Sequence, residues 1–508
     1  MGGDGVRFSI IQERVFPVQM NDGTDAEIGL RELFMQAHNI KDLVGTTPIE
    51  RYAVFRLLVA FAMDIYPVHS YRERKELFQK GCFDIDIFDK YISMCESKRS
   101  NCFDLFDLEH PFMQERFDIA ADTKAEKLAA VVMVGLPSGN NHIFLDHRPE
   151  SVIALSASEA FRAMMTLYLF CTAGAQGYPS GVNNTSPVYS ICLGENLFET
   201  IVMNMVSDGE IGPISYGEGM VPWRSGRPII PKEKVINITM LEGLTWRPRR
   251  IMLTCDSDGM VRKVFREQGS NFIGNDIWRD PHVAYRKNQK DEWISWKPKS
   301  GRDLWRDLGT ILSDSARKNV IPPLVLQQLD RITDNESSIT RVREVGIVTS
   351  QAKYEEWIED ELSLPMVFFD NDDIADILRN DVLAVEDIIE KLIWKIDSTF
   401  VGLKDKKVYK DVLSEQARGN FLRIMHDEVF GFSVVDLFQH KDELSEEMYI
   451  EHNIKFDRKL KDALLITIRE VINTSGNSFI MMKKQMEIQS YIMNEYYKLS
   501  KDREEKHG

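Results

Sequence analysis

The sequence contains no long hydrophobic stretch and few cysteines. No run of eighteen uncharged apolar residues occurs in its 508 residues, so no segment is predicted to cross a membrane. The six cysteines are scattered, and no two of them form a CxxC pair. This pattern predicts buried, reduced thiols in a cytoplasmic protein rather than a structural zinc site. The N-terminus, MGGDGVRFSII, also lacks the features of a secretory signal.

Motifs of common catalytic sites are absent as well. The chain has no GxxxxGK[ST] phosphate loop, no GxGxxG, no GxSxG and no HExxH. His426 and Asp427 lie in the pattern of a helix surface, without a further His and Asp at positions that suit a metal phosphohydrolase. Asp370, Asp372 and Asp373 stand where a helix is predicted to begin, which suits the helix dipole. We therefore expect no enzyme activity, no metal and no cofactor.

The chain also lacks the overall positive charge that is usual for nucleic-acid-binding proteins. It has 63 Lys and Arg against 79 Asp and Glu, a net charge of -16. Residues 223–306, however, contain 18 Lys and Arg against 10 Asp and Glu, and 18 − 10 is a local excess of +8. Tryptophans are interleaved with these charges. Such a segment is typical of a nucleic-acid contact surface, and equally of a solvated basic face that balances acidic neighbours.

One long apolar pattern opens into a loop that is rich in glycine and amides. Residues 155–171 predict a buried helix, and residues 172–187, TAGAQGYPSGVNNTSP, follow it directly. Glycine lets the backbone approach a ligand closely, and Asn and Gln side chains both donate and accept hydrogen bonds. Taken alone, the stretch is more typical of an ordinary surface connection. Together with the basic segment, it is a candidate contact for nucleic acid.

The periodicity of apolar residues predicts an α+β chain with two domains. A large mixed domain is expected over residues 1–370, and a C-terminal antiparallel four-helix bundle over residues 371–508. Apolar residues that recur every three or four positions predict the bundle helices at about 372–396, 409–430, 445–473 and 478–500. Helices are also predicted at 125–134, at 303–314 and from 350 to 361, and CDSDG at 255–259 predicts a hairpin turn.

Several short motifs occur in a consistent order along nearly the whole chain. HPFMQ at 110–114 and LTWRPRRI at 244–251 are the most specific of them. The others are VFPV near the start, GLREL at 29–33, EKL at 126–128, GNNHIF at 139–144, WRDPH at 278–282 and ARGNFLR at 417–423. In these motifs the sequence resembles the CasA family, the large subunit of the type I-E CRISPR surveillance complex, Cascade. The resemblance implies a mixed N-terminal domain and a C-terminal four-helix bundle, in agreement with the periodicity.

The resemblance implies a non-catalytic subunit that recognises the protospacer-adjacent motif in duplex DNA, largely from the minor groove. Such a subunit helps to open the duplex for pairing with the guide RNA, and it provides a docking surface for a helicase-nuclease. Because guide pairing supplies the sequence specificity, the protein need read only a few base pairs. The implied partners are the other Cascade subunits, the guide RNA, target double-stranded DNA and the helicase-nuclease, without a membrane.

By position, the resemblance places three functional elements on this sequence. The motif-sensing loop falls on Ala173, Gly174, Ala175, Gln176, Gly177 and Tyr178. The wedge that separates base pairs falls on Ser350, Gln351 and Ala352. The anchor near the 5′ handle of the guide RNA falls on about 137–149, with Phe144, Leu145 and Asp146 at its centre. The family's motif-reading lysine aligns near Gly269, so either a neighbouring basic residue replaces it or the protein accepts different motifs.

Five basic residues are the candidate DNA contacts: Arg247, Arg249, Arg250, Lys263 and Arg266. Two alternative functions stay open on the residues alone. One is a metal-dependent phosphohydrolase or nuclease that uses His426 and nearby carboxylates. The other is a purely structural scaffold whose bundle binds protein partners. The scaffold predicts that reversing the charges of the arginines leaves DNA affinity unchanged, whereas a phosphate contact predicts a smaller salt dependence.

Overall fold

A computed structural model describes most of the chain, and its contacts divide the protein into two compact units. The described residues are 6–134, 153–173, 178–184, 186–207, 220–274, 278–312, 319–332, 339–350, 353–400, 406–475 and 479–505. Unit 1 comprises Met1–Arg302 and Arg317–Ser363, and unit 2 comprises Asp303–Ala316 and Leu364–Gly508. The contacts thus divide the chain after Ser363, whereas the sequence placed the boundary at 370/371, and they add residues 303–316 to unit 2.

Unit 1 combines short strands with helices of varied length. Its strands are β1 (Phe16–Met20), β2 (Asp25–Ile28), β3 (Ile40–Leu43), β4 (Glu126–Leu128), β5 (Tyr189–Leu193), β6 (Lys234–Val235), β7 (Arg249–Cys255), β8 (Val261–Gln268), β9 (Asn271–Phe272), β10 (Tyr285–Lys287), β11 (Trp293–Ser295), β12 (Val320–Ile321), β13 (Ile339–Ser350) and β14 (Lys353–Pro365), the last ending just beyond the unit. Its helices are α1 (Leu30–Gln36), α2 (Pro48–Ile65), α3 (Tyr71–Lys80), α4 (Ile85–Lys98), α5 (Ala157–Phe170), α6 (Leu197–Met203), α7 (Pro222–Ser225), α8 (Met240–Leu244) and α9 (Leu324–Gln327). Single 3₁₀ turns cover Ala37–Asn39, Thr123–Ala125, Ala129–Val132 and Leu329–Arg331.

The strands form several small sheets. In the described ranges, four sheets have three strands each, in the orders β2-β1-β3, β4-β8-β7, β14-β13-β5 and β11-β10-β12. A fifth sheet is the parallel pair β6-β9. The turn between β7 and β8 is the predicted CDSDG hairpin, in which Gly259 has a φ of +76° and the Asp256 carboxylate accepts from the Asp258 and Met260 amides. The turn prediction is confirmed.

Helices α2 and α5 pack against each other in the core of unit 1. α2 is apolar on all sides and almost fully buried, and Thr47 begins it by accepting a hydrogen bond from the Glu50 amide. α5 begins with a capping box, in which the Ser156 and Glu159 side chains each accept from the other's backbone amide. Two well-capped, buried helices therefore give a rigid base, and the loop that follows α5 leaves from it.

Unit 2 is helical, and its long helices contact one another in a ring. They are α10 (Val367–Asp370), α11 (Asp372–Thr399), α12 (Lys406–Glu428), α13 (Val434–Gln439), α14 (Glu446–Ser475) and α15 (Phe479–Glu505), with a π-helical turn at Val429–Ser433 and a 3₁₀ helix at Leu304–Thr310. α11 packs on α12 and α15, and α14 packs on the same two helices, as in a four-helix bundle. The α+β class is confirmed. No helix in the described ranges is both long and apolar enough to cross a membrane.

The start of α11 shows how the acidic residues at 370–373 are used. Asn371 is the N-cap, and its side chain accepts from the Asp373 and Ile374 amides at 3.0 and 3.2 Å. Asp372 and Asp373 lie in the first turn, where a negative charge favours the helix dipole. The capping residue is therefore the asparagine between the predicted aspartates.

Two predicted helices of the first domain were wrong, and a third is a 3₁₀ helix. Residues 350–361 form the end of β13 and most of β14, in which exposure alternates from one residue to the next. Tyr354, Ile358 and Leu362 stand four apart, and that spacing fits both a strand and a helix. The apolar segment 125–134 is instead divided between β4, which pairs with β8, and a 3₁₀ turn. Residues 303–314 contain a 3₁₀ helix rather than an α-helix.

Candidate nucleic-acid interface

The loop after α5 is closed at its base by close backbone contacts. The amide of Gly181 donates to the Cys171 carbonyl at 3.0 Å. A β-carbon at Gly181 would lie 2.5 Å from the Leu169 carbonyl oxygen, so a side chain does not fit there. Of the predicted motif loop, Ala173 and Tyr178 are described, whereas Gly174, Ala175, Gln176 and Gly177 lie outside the described residues. The structure thus defines the two ends of the motif loop.

Arg249, at the start of β7, joins these two ends. Its side chain donates to the carbonyls of Thr172, at 3.1 Å, and Pro179. It also donates to the Pro248 carbonyl at 2.9 Å, and the residue is only 1% exposed. Within the described ranges no carboxylate pairs with this guanidinium, so its positive charge is buried without a counter-ion.

Tyr178 lies between two arginines. Its ring centroid is 5.0 Å from the guanidinium carbon of Arg249 and 5.3 Å from that of Arg266, which belongs to β8. Arg266 itself donates to the Val131 carbonyl at 3.0 Å. Burial lowers the pKa of Arg266, and the neighbouring charge of Arg249 adds to the shift. Two guanidinium groups beside one ring give this end of the loop a positive potential.

Tyr354 connects the loop base to the hairpin that carries the predicted wedge. Its hydroxyl donates to the Phe170 carbonyl at 3.1 Å and accepts from the Thr172 amide at 3.3 Å. Burial raises the pKa of Tyr354, so the hydroxyl keeps the proton that it donates. Tyr354 follows Gln351 and Ala352, which join β13 to β14 and lie outside the described residues. The predicted loop and the predicted wedge therefore meet at one tyrosine.

The remaining wedge residue, Ser350, ends β13. Only two residues separate β13 from β14, and the strands are neighbours in one sheet, so they form an antiparallel hairpin. On its other side β13 pairs antiparallel with the buried strand β5, with Val345 opposite Tyr189. The predicted wedge therefore begins at the end of a strand that is anchored in the sheet.

Gly269, where the family's lysine aligns, is enclosed by backbone. Its amide donates to the Pro248 carbonyl at 3.1 Å, and a β-carbon would lie 2.6 Å from the Arg249 nitrogen. The Gly269 carbonyl accepts from the amide of Lys232 at 3.1 Å. Lys232 is exposed and has a φ of +64°, and its side chain forms no hydrogen bond or ion pair with a described residue. Sequence reasoning did not find Lys232, because only the fold places it beside Gly269.

The other basic candidates differ in how freely their charges face solvent. The Lys263 side chain is 56% exposed and lies 3.0 Å from Glu126. Arg250 pairs with Glu267 at 2.7 Å, and its guanidinium covers the Phe117 ring. These two residues lie on the β7-β8 hairpin with Arg249 and Arg266, but Lys263 pairs with Thr254, five residues along β7 from Arg249, and Arg250 faces the other side of the sheet.

Arg247 is the fifth basic candidate. It precedes β7 and donates to the backbone carbonyls of Gln114 and Arg227, both at 3.0 Å. Its donors are thus used on the protein's own backbone, and it belongs to a cavity wall rather than to the loop base.

Comparison with known proteins decides the family. A family model described as CRISPR-associated protein Cse1 matches residues 10–454. The chain belongs to the Cse1 family. A relative, the CRISPR-associated protein CasA/Cse1 of Thermus thermophilus, is 25% identical over 435 residues, which cover 82% of this chain and 80% of the relative. The resemblance to CasA is confirmed.

Solved structures show the same fold. Thermus thermophilus CasA superimposes with a TM-score of 0.76 at 18% identity, covering 98% of this chain and all of that one. A chain of a structure described as a CRISPR RNA-guided surveillance complex gives a TM-score of 0.75 at 17% identity, covering 96% of this chain and 99% of that one. The Cse1 fold thus extends over both units.

The predicted anchor residues and the His426–Asp427 pair are the last two groups of predicted site residues. The anchor residues Phe144, Leu145 and Asp146 lie outside the described residues. His426 is half-exposed, with its Nδ1 atom 3.3 Å from the Asp427 carboxylate and its ring 5.8 Å from that of Trp305. Among the residues that the structure describes, no group of three or more His, Cys, Asp or Glu side chains is placed to hold a metal ion.

Proposed function

We propose that this chain is the large, non-catalytic subunit of a type I-E RNA-guided CRISPR surveillance complex. In this role it recognises a short motif in double-stranded DNA, helps to open the duplex for guide pairing, and provides a docking surface for a helicase-nuclease. Membership of the Cse1 family supports the proposal. So does the similarity to a chain of a solved CRISPR RNA-guided surveillance complex.

The contact between the loop base and the wedge hairpin carries the proposal. Tyr354 bonds to the backbone on both sides of Cys171, only two residues beyond Ala352. A loop that senses a motif and a wedge that separates the next base pairs must act on adjacent DNA steps. Holding both elements on one tyrosine hydroxyl fixes their spacing before DNA binds, which lowers the entropic cost of assembling the site.

The charges near the loop support contact with the phosphate backbone. Arg249 and Arg266 keep their positive charges beside Tyr178 without a carboxylate partner in the described ranges. Buried charge of one sign produces a field that reaches the adjacent surface. The chain is acidic overall, so this local field directs DNA to the motif loop rather than to the rest of the surface.

Lys232 is the residue that we propose as the replacement for the family's motif-reading lysine. Its backbone is hydrogen-bonded to Gly269, and its exposed side chain forms no hydrogen bond or ion pair with a described residue. Arg266 donates to a backbone carbonyl and Lys263 is paired with Glu126, so neither is as free to contact a base edge. Gly269 has no room for a side chain, so the lysine comes instead from the neighbouring segment, at Lys232.

A duplex library tests the function as a whole. The surveillance complex is assembled with and without this chain, and its binding is measured to targets that vary in the bases beside the guide-paired segment. We expect tight binding and a preference for particular flanking bases only when the chain is present. Equal binding without a motif preference in both assemblies would contradict the proposal, and would favour the scaffold alternative if the chain still joins the complex.

The wedge is tested by the substitution Gln351→Ala. Permanganate reactivity of unpaired target thymines should fall, while initial duplex binding changes little, because the glutamine acts after the motif is bound. Glu355→Ala, an exposed change on β14, is the matched control and should leave both readouts unchanged. Unchanged thymine reactivity in the Gln351 variant would show that the wedge assignment is wrong.

The replacement lysine is tested by Lys232→Ala in the same library. We expect the preference among flanking bases to weaken or change. Lys234→Ala removes an equally exposed charge two residues away and should leave the preference intact. If both variants behave alike, Lys232 acts only through its general charge.

A further inference from the structure

A second group of arginines lines a cavity of about 230 Å³ in unit 1. The HPFMQ motif forms part of its wall, and nothing in the proposed function uses this motif. The polar wall residues are Arg99, His110, Gln114, Arg116, Arg227 and Arg247, together with two glutamates, Glu109 and Glu115. Four arginines against two glutamates leave the cavity with an excess of positive charge. The cavity volume is several times the roughly 30 Å³ that one water molecule occupies in the liquid.

Arg99 enters this cavity without a carboxylate partner in the described ranges. Its Nη2 atom lies 3.3 Å from Nδ1 of His110, which must accept because a guanidinium only donates. Its Nε atom is buried and has no hydrogen-bond partner. The guanidinium packs directly over Gly226, where a side chain would displace it. The group is therefore held in a defined position, and its hydrogen-bonding capacity is only partly used.

Arg247 adds a second charge of the same sign. It donates only to backbone carbonyls, those of Gln114 and Arg227, so nothing in the described part of the chain neutralises it by direct pairing. Burial lowers the pKa of Arg247, Tyr168 and Glu115 raise it in part, and the positive charge of Arg99 lowers it again. Two cations that are close enough to destabilise each other in this way would both be stabilised by an anion between them.

The two glutamates of the wall do not fill that role by direct contact. One carboxylate oxygen of Glu115 accepts from the Ile229 amide at 3.0 Å, and neither glutamate is within ion-pair distance of Arg99 or Arg247. Arg227, at the rim, is 52% exposed and lies 3.7 and 3.6 Å from Glu233 and Glu242. The cavity therefore contains arginine N–H groups that can donate hydrogen bonds to a bound ligand.

We propose that this cavity binds a phosphate group, supplied either by the backbone of a DNA strand or by a free nucleotide. Planar guanidinium groups match the oxygens of a phosphate and form charge-assisted hydrogen bonds with it. A phosphate would give the buried Arg99 a charged partner and would relieve its repulsion with Arg247. The site does not depend on motif recognition, because it uses residues other than the loop base and the wedge.

Titration of the full-length chain with inorganic phosphate, followed by ³¹P NMR and calorimetry, tests the site. We expect saturable binding that Arg99→Gln weakens at least tenfold. Arg262→Gln removes an exposed arginine that pairs with Asp256 on the β7-β8 turn, and it should bind phosphate as the unaltered chain does. Absence of saturable binding, or equal affinities for all three proteins, would overturn the proposal.

Two further variants keep the test independent of folding defects. Arg99→Lys retains the charge but removes the planar fork, and it should bind more tightly than Arg99→Gln and more weakly than the unaltered chain. Arg116→Gln changes an exposed rim residue and should also weaken binding. If phosphate binds equally well to both variants and to the unaltered chain, the arginines of this cavity are not its ligands.

Competition distinguishes the two sources of phosphate. A short single-stranded DNA without any motif, or AMP, is added to the phosphate complex. Displacement by DNA assigns the cavity to backbone phosphates, and displacement by AMP alone assigns it to a nucleotide. If neither displaces phosphate at a tenfold excess, the proposed ligand class is wrong, whereas motif recognition by the assembled complex would be unaffected.

Discussion

Two buried arginines, one in each unit, are stabilised in opposite ways. Arg503 of α15 lies 2.7 Å from the Asp381 carboxylate, 3.2 Å from that of Asp457 and 2.7 Å from the Asn453 side-chain oxygen. Within the described part of the chain, the side chain of Arg249 of β7 hydrogen-bonds only to backbone carbonyls and lies over the Tyr178 ring. The charge of the first is neutralised inside the protein, whereas the charge of the second is left to act on its surroundings.

A histidine extends the ion-pair network around Arg503. His452 of α14 lies 2.9 Å from Asp381 and 2.7 Å from Asp436, and its own side chain is fully buried. Asp381 belongs to α11 and Asp436 to α13, so one network joins four helices of unit 2. Such a network fixes how helices pack. An unneutralised arginine instead maintains a field, and in unit 1 both Arg249 and the cavity residue Arg99 are of this kind.

The largest expected effect is the loss of Arg503. Arg503→Leu leaves Asp381 with His452 alone and takes from Asp457 its buried arginine, and removing one member of a buried pair costs about 3–5 kcal/mol. Hydrogen exchange of α14 and α15 peptides should accelerate accordingly. Lys498→Leu removes an exposed ion pair with Glu495 on α15 and should change the same peptides by less than about 1 kcal/mol. Equal effects would mean that neutralisation adds no stability here.

Loss of Arg249 should cost less stability and more binding. Arg249→Leu leaves carbonyls without a donor but strands no opposite charge, so we expect about 1–3 kcal/mol. Exchange should increase at Thr172 and Gly181 on the two sides of the loop. In the assembled complex, DNA affinity should fall and its dependence on salt should become shallower. A stability loss as large as that of Arg503→Leu would remove the distinction between the two arginines.

The two units should also respond differently to pH. Burial alone would lower the pKa of His452, but Asp381 and Asp436 raise it above its usual 6.5. The protonated histidine therefore stabilises unit 2 fully below about pH 6.5, and this contribution is lost as pH rises through the raised folded-state pKa. A tenfold difference in proton affinity between the folded and unfolded chains corresponds to about 1.4 kcal/mol.

Hydrogen exchange of unit 2, corrected for intrinsic rates, should therefore reveal lower stability at pH 9 than at pH 6. His452→Gln should remove this difference, and His426→Gln, which changes a half-exposed histidine on α12, should retain it. NMR of the His452 ring should give a midpoint above 6.5. A midpoint below 6.5 would show that burial dominates over the two carboxylates.

The smallest expected effect is the loss of a single hydroxyl. Tyr354→Phe removes two hydrogen bonds to the loop base, and its cost should be about 0.5–1.5 kcal/mol. Faster exchange should be confined to the end of α5, the loop and the β13-β14 hairpin. Tyr71→Phe, an exposed position at the start of α3, should change nothing. Exchange that increases in the loop but not in the hairpin would mean that Tyr354 does not couple them.

The local pattern was sufficient for the helices of unit 2, but not for the wedge hairpin. An apolar residue at every third or fourth position over more than twenty residues predicts a long helix almost regardless of context. Between 350 and 361 the apolar spacing of four is shared by strand and helix, and pairing of β13 with β5, far away in sequence, settles the choice. The resemblance to CasA predicts the wedge at Gln351 without reference to that choice, and this stays a prediction.

The basic candidates show the same limit. The sequence places Arg249, Arg250 and Lys263 in one basic segment, without indicating which charge is buried. Burial and partners depend on segments distant in the chain: the loop after α5 surrounds Arg249, and Glu126 pairs with Lys263. Lys232 is the converse case, because only a backbone hydrogen bond to Gly269 distinguishes it from other exposed lysines.

By itself the sequence determined the α+β class, the C-terminal helices and the family. These properties rest on local periodicity and on motifs that are contiguous in sequence. The tertiary structure alone decided that Tyr354 joins the wedge hairpin to the loop, and that Arg249 closes the loop while Arg503 is neutralised. A hydrogen bond or an ion pair depends on distances between remote segments, which pattern does not encode.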